Sequence, residues 1–302
     1  MSYSVSIIQL TDKVNHSSTS LAIESFKRSY KDGKVVVINT QHEPRINEFS
    51  DLYGCTVILP SCKLNYPKFT YNQSDEILYW TAEAFFKPVL HVETDYFSWT
   101  DPDCFIVKPT DFNLYNDADM ICCSKFDGFV DIFWLFLPIW EKISSDSSKR
   151  DKIMREYFIE LNEICNEIGK NFDKISQNDL RHNFSMGNYI KTKKVQDLFF
   201  NKKDEIKFIT KKFMDLTLRY VKKHNNLLSE KLYISPDYLL SFLFGIYEFK
   251  CVPNQKYRMI NSKFRYDVNI FSKDIEDEIL HPVKTYYIDK NQSFEKIVGN
   301  SL

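Results

Sequence analysis

An α/β fold with a mostly parallel central sheet, covered by helices on both faces, is what this chain predicts. Three observations carry that expectation. Short apolar runs recur along the first half, at 4–10 (SVSIIQL), 34–39 (KVVVIN), 55–59 (CTVIL), 88–92 (PVLHV) and 118–123 (ADMICC), and each reads as a strand buried on both faces. Amphipathic segments at 17–30 and 74–86 fall between them, giving the strand–helix alternation of a parallel sheet. The second half then turns helical, with an elaboration beginning after residue 130.

The elements follow in order. In 17–30, Leu21, Ile23 and Phe26 supply apolar positions. The segment 74–86 (SDEILYWTAEAFF) has a capping Ser74, first-turn acids Asp75 and Glu76, and Lys87–Pro88 as a stop. Residues 151–168 present Ile153, Tyr157, Leu161, Ile164 and Ile168 as one stripe. Residues 192–230 read as a Lys-rich helix, 235–247 as an apolar helix opened by Pro236, and 249–260 as holding a short strand. The expectation is a single domain over 1–302, with a first half (1–125) built on the sheet and a second half (126–302) carrying a helical insertion at about 140–180.

Composition narrows the function. The chain has 302 residues and a net charge of −1, with 40 basic and 41 acidic side chains, which argues against a general nucleic-acid binder. No basic, apolar leader is read at the N-terminus and no run reaches the ~20 apolar residues of a membrane span. Seven cysteines without a CxxC pair read as reduced thiols of a cytoplasmic protein. The seven glycines never approach GxGxxG or a P-loop. A phosphorylated ligand would therefore be met by a metal ion or by basic side chains.

The stretch 86–99, FKPVLHVETDYFSW, is where chemistry gathers. Glu93 and Asp95 follow an apolar run, and in an extended segment residues i and i+2 point to the same side. Two carboxylates on one side repel unless a cation lies between them. Mg²⁺ or Mn²⁺ suits such a pair. A second acidic triplet, Asp117-Ala118-Asp119, lies at the start of its strand and reads as structural.

From Ser74 to Phe112 the sequence resembles the central region of nucleotide-sugar-dependent glycosyltransferases of the GT-A fold, through VLHVETDYFSW and VKPTDF. His91, Asp95, Phe97 and Trp99 match the family pattern, with Glu93 in the place of its first Asp. The resemblance implies a divalent metal, Mn²⁺ or Mg²⁺, on Asp95 and Glu93, completed by His281 in ILHPVK (279–284). Lys284 would contact the diphosphate of a nucleoside diphosphate sugar, a UDP-sugar being favoured. Gln9, Leu10, Thr11 and Thr94 would serve the nucleotide. NFSMGNYI (183–190) resembles the acceptor-side segment, with Ser185, Gly187 and Asn188 against the sugar, and Trp99 is a further sugar contact. Asp237, Asp131 and Asp127 are alternative general bases.

The implied activity is metal-dependent sugar transfer to an acceptor hydroxyl of a glycan or lipid-linked glycan. A binding module on a degenerate transferase fold and a sugar nucleotidyltransferase stay open. The apolar run 129–140 and the Lys-rich helix leave room for association with the cytoplasmic face of a membrane.

Overall fold

A computed structural model describes residues 3–11, 16–64, 81–100, 102, 104–115, 117–123, 147–170, 188–224, 236–254, 256–260 and 279–282. In chain order the elements are β1 (Val5–Thr11), α1 (His16–Ser29), β2 (Lys34–Asn39), α2 (Pro44–Asn47), α3 (Phe49–Tyr53) and β3 (Thr56–Ile58). A π-helical turn, Ala82–Phe86, runs into α4 (Lys87–Val89), followed by β4 (Tyr96–Thr100), β5 (Phe105–Ile106), a 3₁₀ turn (Phe112–Tyr115) and β6 (Met120–Cys123). Then come α5 (Ser147–Asn166), β7 (Asn188–Lys191), α6 (Thr192–His224), α7 (Pro236–Ile246), β8 (Cys251–Asn254), β9 (Tyr257–Ile260) and β10 (Ile279–Pro282).

Seven strands form one sheet in the order β3-β2-β1-β4-β7-β6-β8, and β5, β10 and β9 form a second sheet of three. In the large sheet β3, β2, β1 and β4 run parallel, β7 is reversed, and β6 and β8 return to the common direction. The mostly parallel α/β class read from the sequence is the class observed. Strands β2 and β3 add outward on one side of β1 and β4 adds on the other. The order thus reverses between β1 and β4, and their carboxyl ends bound the crevice that open α/β sheets use for ligands.

Both faces of the sheet are covered. On one face Thr11 meets Thr19 of α1 through a 2.7 Å hydroxyl pair, and Tyr30, just past α1, reaches the Tyr189 hydroxyl at 3.3 Å. Gly33 lets α1 sit close, since a Cβ there would fall 2.5 Å from the Phe26 ring. On the other face Phe85 packs against Phe97, Trp99 and Phe244 at ring separations of 6.0–6.1 Å. Phe86 meets Phe199 at 4.2 Å, and Phe213 of α6 stacks on Phe242 of α7 at 4.4 Å. Burying rings of this size contributes on the order of 2–3 kcal/mol each.

One expected element is different. Residues 88–92 do not form a strand: Pro88 sits in the first turn of α4, and Leu90 and His91 close it by hydrogen bonds to Lys87 and Pro88 carbonyls. Proline lacks only an N–H that the first helical turn leaves unpaired, so Lys87–Pro88 continues the helical path rather than stopping it. The strand is the aromatic run YFSWT, all five residues buried, and it starts one residue after Asp95.

Candidate functional site

The shift of that strand moves Glu93 and Asp95 to the amino end of β4. The Asp95 carboxylate accepts hydrogen bonds from the Ser4 amide and hydroxyl, both at 2.7 Å, and its own amide donates to the Ser4 hydroxyl at 3.0 Å. Its carbonyl accepts from the Thr192 amide at 3.0 Å. Asp95 therefore staples the starts of β1, β4 and α6 together. Glu93 and Asp95 are exposed while Thr94 between them is buried, the alternation of an extended segment. The Thr94 hydroxyl lies 2.8 Å from both the Ser6 hydroxyl and the Tyr96 carbonyl, engaged with the sheet start rather than turned to a nucleotide.

A cavity of about 690 Å³ opens at this amino end, lined by Tyr3, Glu93, Asp95, Lys191, Lys193 and Asp197 among others. Its charges largely cancel. Lys193 pairs with Asp197 at 2.5 Å, and Lys194 and Lys191 turn to Asp119, the latter at 4.0 Å. Asp119 also accepts from the Lys250 amide at 2.9 Å, which is the structural role expected of that triplet. Tyr96 has its hydroxyl pKa raised, chiefly by burial and then by the negative charges nearby. A diphosphate would meet no surplus of positive charge here.

The opposite end of the sheet is chemically different. Thr11 closes β1, and its carbonyl takes the Thr40 amide at 3.1 Å and hydroxyl at 2.9 Å. Leu10 is 6% exposed, and Gln9, 0% exposed, aligns with Thr100 of β4 and leaves both side-chain amide atoms without a partner. A buried amide in that state costs about 1–3 kcal/mol, and such groups call for an explanation. Asn188 opens β7 level with Trp99, at the carboxyl side of β4, and is buried.

Trp99 is 1% exposed with its ring edge-on to Phe85. Alternation along β4 puts it with Phe97 on the helix-packed face, so it serves the core and does not offer a sugar platform.

Directly beyond Thr100 the sequence reads Asp101-Pro102-Asp103. This is an acid-x-acid step beyond the 93–95 and 117–119 triplets. Its signal was there: a five-residue aromatic and β-branched run ends at it, as strands end at ligands in this fold class. Asp101 and Asp103 lie outside the described residues, but their neighbours Thr100, Pro102 and Cys104 are described.

His281 lies on β10 of the small sheet. β10 pairs antiparallel with β5, Ile279 against Ile106 and Leu280 against Phe105, and parallel with β9, His281 against Met259. The β10–β5 pairing ends at Leu280 and Phe105, one residue before His281 on β10 and one after Cys104, which itself follows Asp103 in sequence. Asp237 is the second residue of α7; its side chain, and that of His281, are outside the described set. Asp127, Asp131, Ser185, Gly187 and Lys284 lie outside the described residues altogether. Among the described residues no cluster of three or more His, Cys, Asp or Glu forms a metal site.

No protein-family model matches the chain, and no curated protein matches it. Among solved structures it is similar to the glycosyltransferase GlyE of Streptococcus pneumoniae TIGR4, at 14% identity and a TM-score of 0.44 over 93% of this chain and 55% of that one. The chain therefore spans about half the length of that neighbour. It is also similar to the galactosyltransferase LgtC in complex with donor and acceptor sugar analogs, at 12% identity and TM-score 0.40 over 93% and 87% of the two chains. TarS of S. aureus aligns at 14% identity and TM-score 0.29 over 42% of this chain and 22% of its own. These likenesses are distant, and the fold class stands on the strand order itself.

Proposed function

We propose that this chain is a glycosyltransferase that moves a sugar from a nucleoside diphosphate sugar, a UDP-sugar first among candidates, to an acceptor hydroxyl of a glycan or glycoconjugate. The observation that carries the reading is the β5–β10 register, which ends one residue before His281 and one after Cys104, the residue following the Asp101-Pro102-Asp103 step. That step follows the strand end where the sheet order reverses.

The donor set suits a hard divalent cation. Two carboxylates and one imidazole leave positions for water and phosphate oxygens, the preference of Mn²⁺ or Mg²⁺. Asp101, Asp103 and His281 would hold the ion, in place of the Glu93 and Asp95 pair, whose position at the amino end removes the reason for assigning it. The metal, when bound, supplies Lewis-acid stabilisation of the charge that develops on the departing nucleoside diphosphate. Lys284, three residues beyond His281, would add its ammonium to the same diphosphate. Asn188, level with Trp99 of β4, and Gly187 before it in sequence would serve the acceptor, and Asp237, Asp127 and Asp131 remain the carboxylates from which a general base would come.

The test is a panel of UDP-, GDP-, CDP- and ADP-sugars incubated with the purified chain and Mn²⁺ or Mg²⁺, with release of nucleoside diphosphate as the readout. One nucleotide class should be turned over, and EDTA should stop it. Failure to turn over or bind any member of the panel would overturn the reading.

A further inference from the structure

Helix α6 carries a charge that the rest of the chain does not share. Between Thr192 and His224 stand ten basic side chains and four acidic ones, a net charge of +6 in a protein whose total is −1. The remainder of the molecule is therefore at −7, and part of the helix's charge is met by it: Lys194, Lys212, Arg219 and Lys223 pair with Asp119, Glu167, Glu160 and Glu156.

The outward stripe of the helix is well defined. The helix kinks at Lys202, whose φ of −127° and ψ of 21° are not helical. Beyond the kink Lys203 with Asp204, Lys207 with Phe208, Lys211, Asp215 and Arg219 are exposed at the i, i+3/i+4 spacing of one helix face, and Phe200 is exposed just before it. The inward stripe, Ile206, Ile209, Phe213, Leu216 and Tyr220, is buried. Among the described residues Lys203 and Lys207 have no ion-pair partner, whereas Lys211 sits 3.9 Å from Asp215. Two large aromatic rings stand among these lysines. Phe200 is 71% exposed, more than any other large apolar side chain among the described residues, and Phe208 is 40% exposed, its ring under the Lys212 ammonium at 5.3 Å.

Exposed rings flanked by unpaired lysines on an amphipathic helix suit the boundary of an anionic bilayer. The rings enter the acyl edge while the ammoniums meet lipid phosphate and carboxylate. No helix among the described residues is long and apolar enough to cross a membrane, so the fit is to lying on the surface.

We propose that the Phe200–Lys211 face of α6 is a docking surface for a membrane rich in anionic phospholipid. This inference does not depend on sugar transfer, and its test reads no activity. Intact protein is floated with neutral phosphatidylcholine vesicles and with vesicles containing about one-third phosphatidylglycerol, at low and high salt. The wild type should float with the anionic vesicles only, and salt should weaken it. Lys203→Ala with Lys207→Ala should weaken partition roughly 30-fold, taking about fivefold per lysine near an anionic surface. Phe200→Ser with Phe208→Ser should abolish flotation at equal charge. All four positions are exposed, and an unchanged melting temperature of each variant checks that folding is intact. Equal flotation with neutral vesicles, flotation of the variants at the wild-type level, or retention on heparin without flotation would each overturn the proposal.

Discussion

The two ends of β4 carry near-identical acidic triplets, Glu93-Thr94-Asp95 and Asp101-Pro102-Asp103, separated by one five-residue strand. Composition does not distinguish them; direction does. At the amino end Asp95 is consumed by Ser4 and the α6 start, and the lysines nearby are already paired with Asp119 and Asp197. At the carboxyl end Asp101 and Asp103 come next in sequence after the strand where the order reverses, and the proposed site draws on them. Which strand end an acid-x-acid step occupies decides the proposal, because ligands of open α/β sheets sit at the carboxyl ends of the strands.

The largest expected effect breaks the carboxyl end. Asp103→Asn, with volume conserved and charge removed, should lower turnover of the donor by 10²-fold or more, the scale of losing one electrostatic stabiliser of the departing charge. Circular dichroism and the melting temperature should stay at wild type. Asp95→Ala should do the reverse. It removes an acceptor from two hydrogen bonds to Ser4, costing about 1–3 kcal/mol in urea denaturation, with turnover per folded molecule unchanged. Loss of activity in a folded Asp95→Ala protein would return the site to the amino end.

Gln9→Leu sharpens the same contrast. Its amide is buried without partners, so an apolar replacement of similar size should leave stability equal or raise it by about 1 kcal/mol. If the amide serves a ligand at the β1–β4 crevice, donor affinity should fall while the melting temperature rises. Affinity unchanged would make Gln9 a packing residue only.

A contact between α5 and α6, at neither end of the strand, supplies the smallest effect. Glu160 loses some water to burial, which alone would raise its pKa, but hydrogen bonds from Tyr220 and Arg219 outweigh this and hold it below 4.5. A carboxylate depressed in the folded state stabilises above its unfolded pKa and loses that contribution as pH falls through the folded value. Urea midpoints measured from pH 6 down to pH 3 should therefore fall less steeply in Glu160→Gln than in wild type. Equal slopes would remove Glu160 from the acid sensitivity.

Much of the sheet was legible because buried parallel strands are written as unbroken apolar runs: 34–39 was read to the residue, and 4–10 and 55–59 to within one. The error at 88–92 came from treating Pro88 as a stop, when the first helical turn tolerates proline. That single boundary moved the strand eight residues and exchanged its two ends. Which acid meets Ser4 depends on a pairing across 91 residues, and the placing of the strand that carries His281 depends on a β10–β5 register spanning more than 170. No local pattern encodes either. Trp99 was misplaced for a related reason: once β4 begins at Tyr96, alternation turns the indole toward Phe85.

The most direct measurement is calorimetric titration of UDP into wild type, Asp103→Asn and Asp95→Asn, each with and without Mn²⁺. Wild type and Asp95→Asn should bind UDP only when Mn²⁺ is present and with matching affinity, while Asp103→Asn should lose the metal-dependent part. Metal-dependent binding that survives in Asp103→Asn and disappears in Asp95→Asn would contradict the assignment.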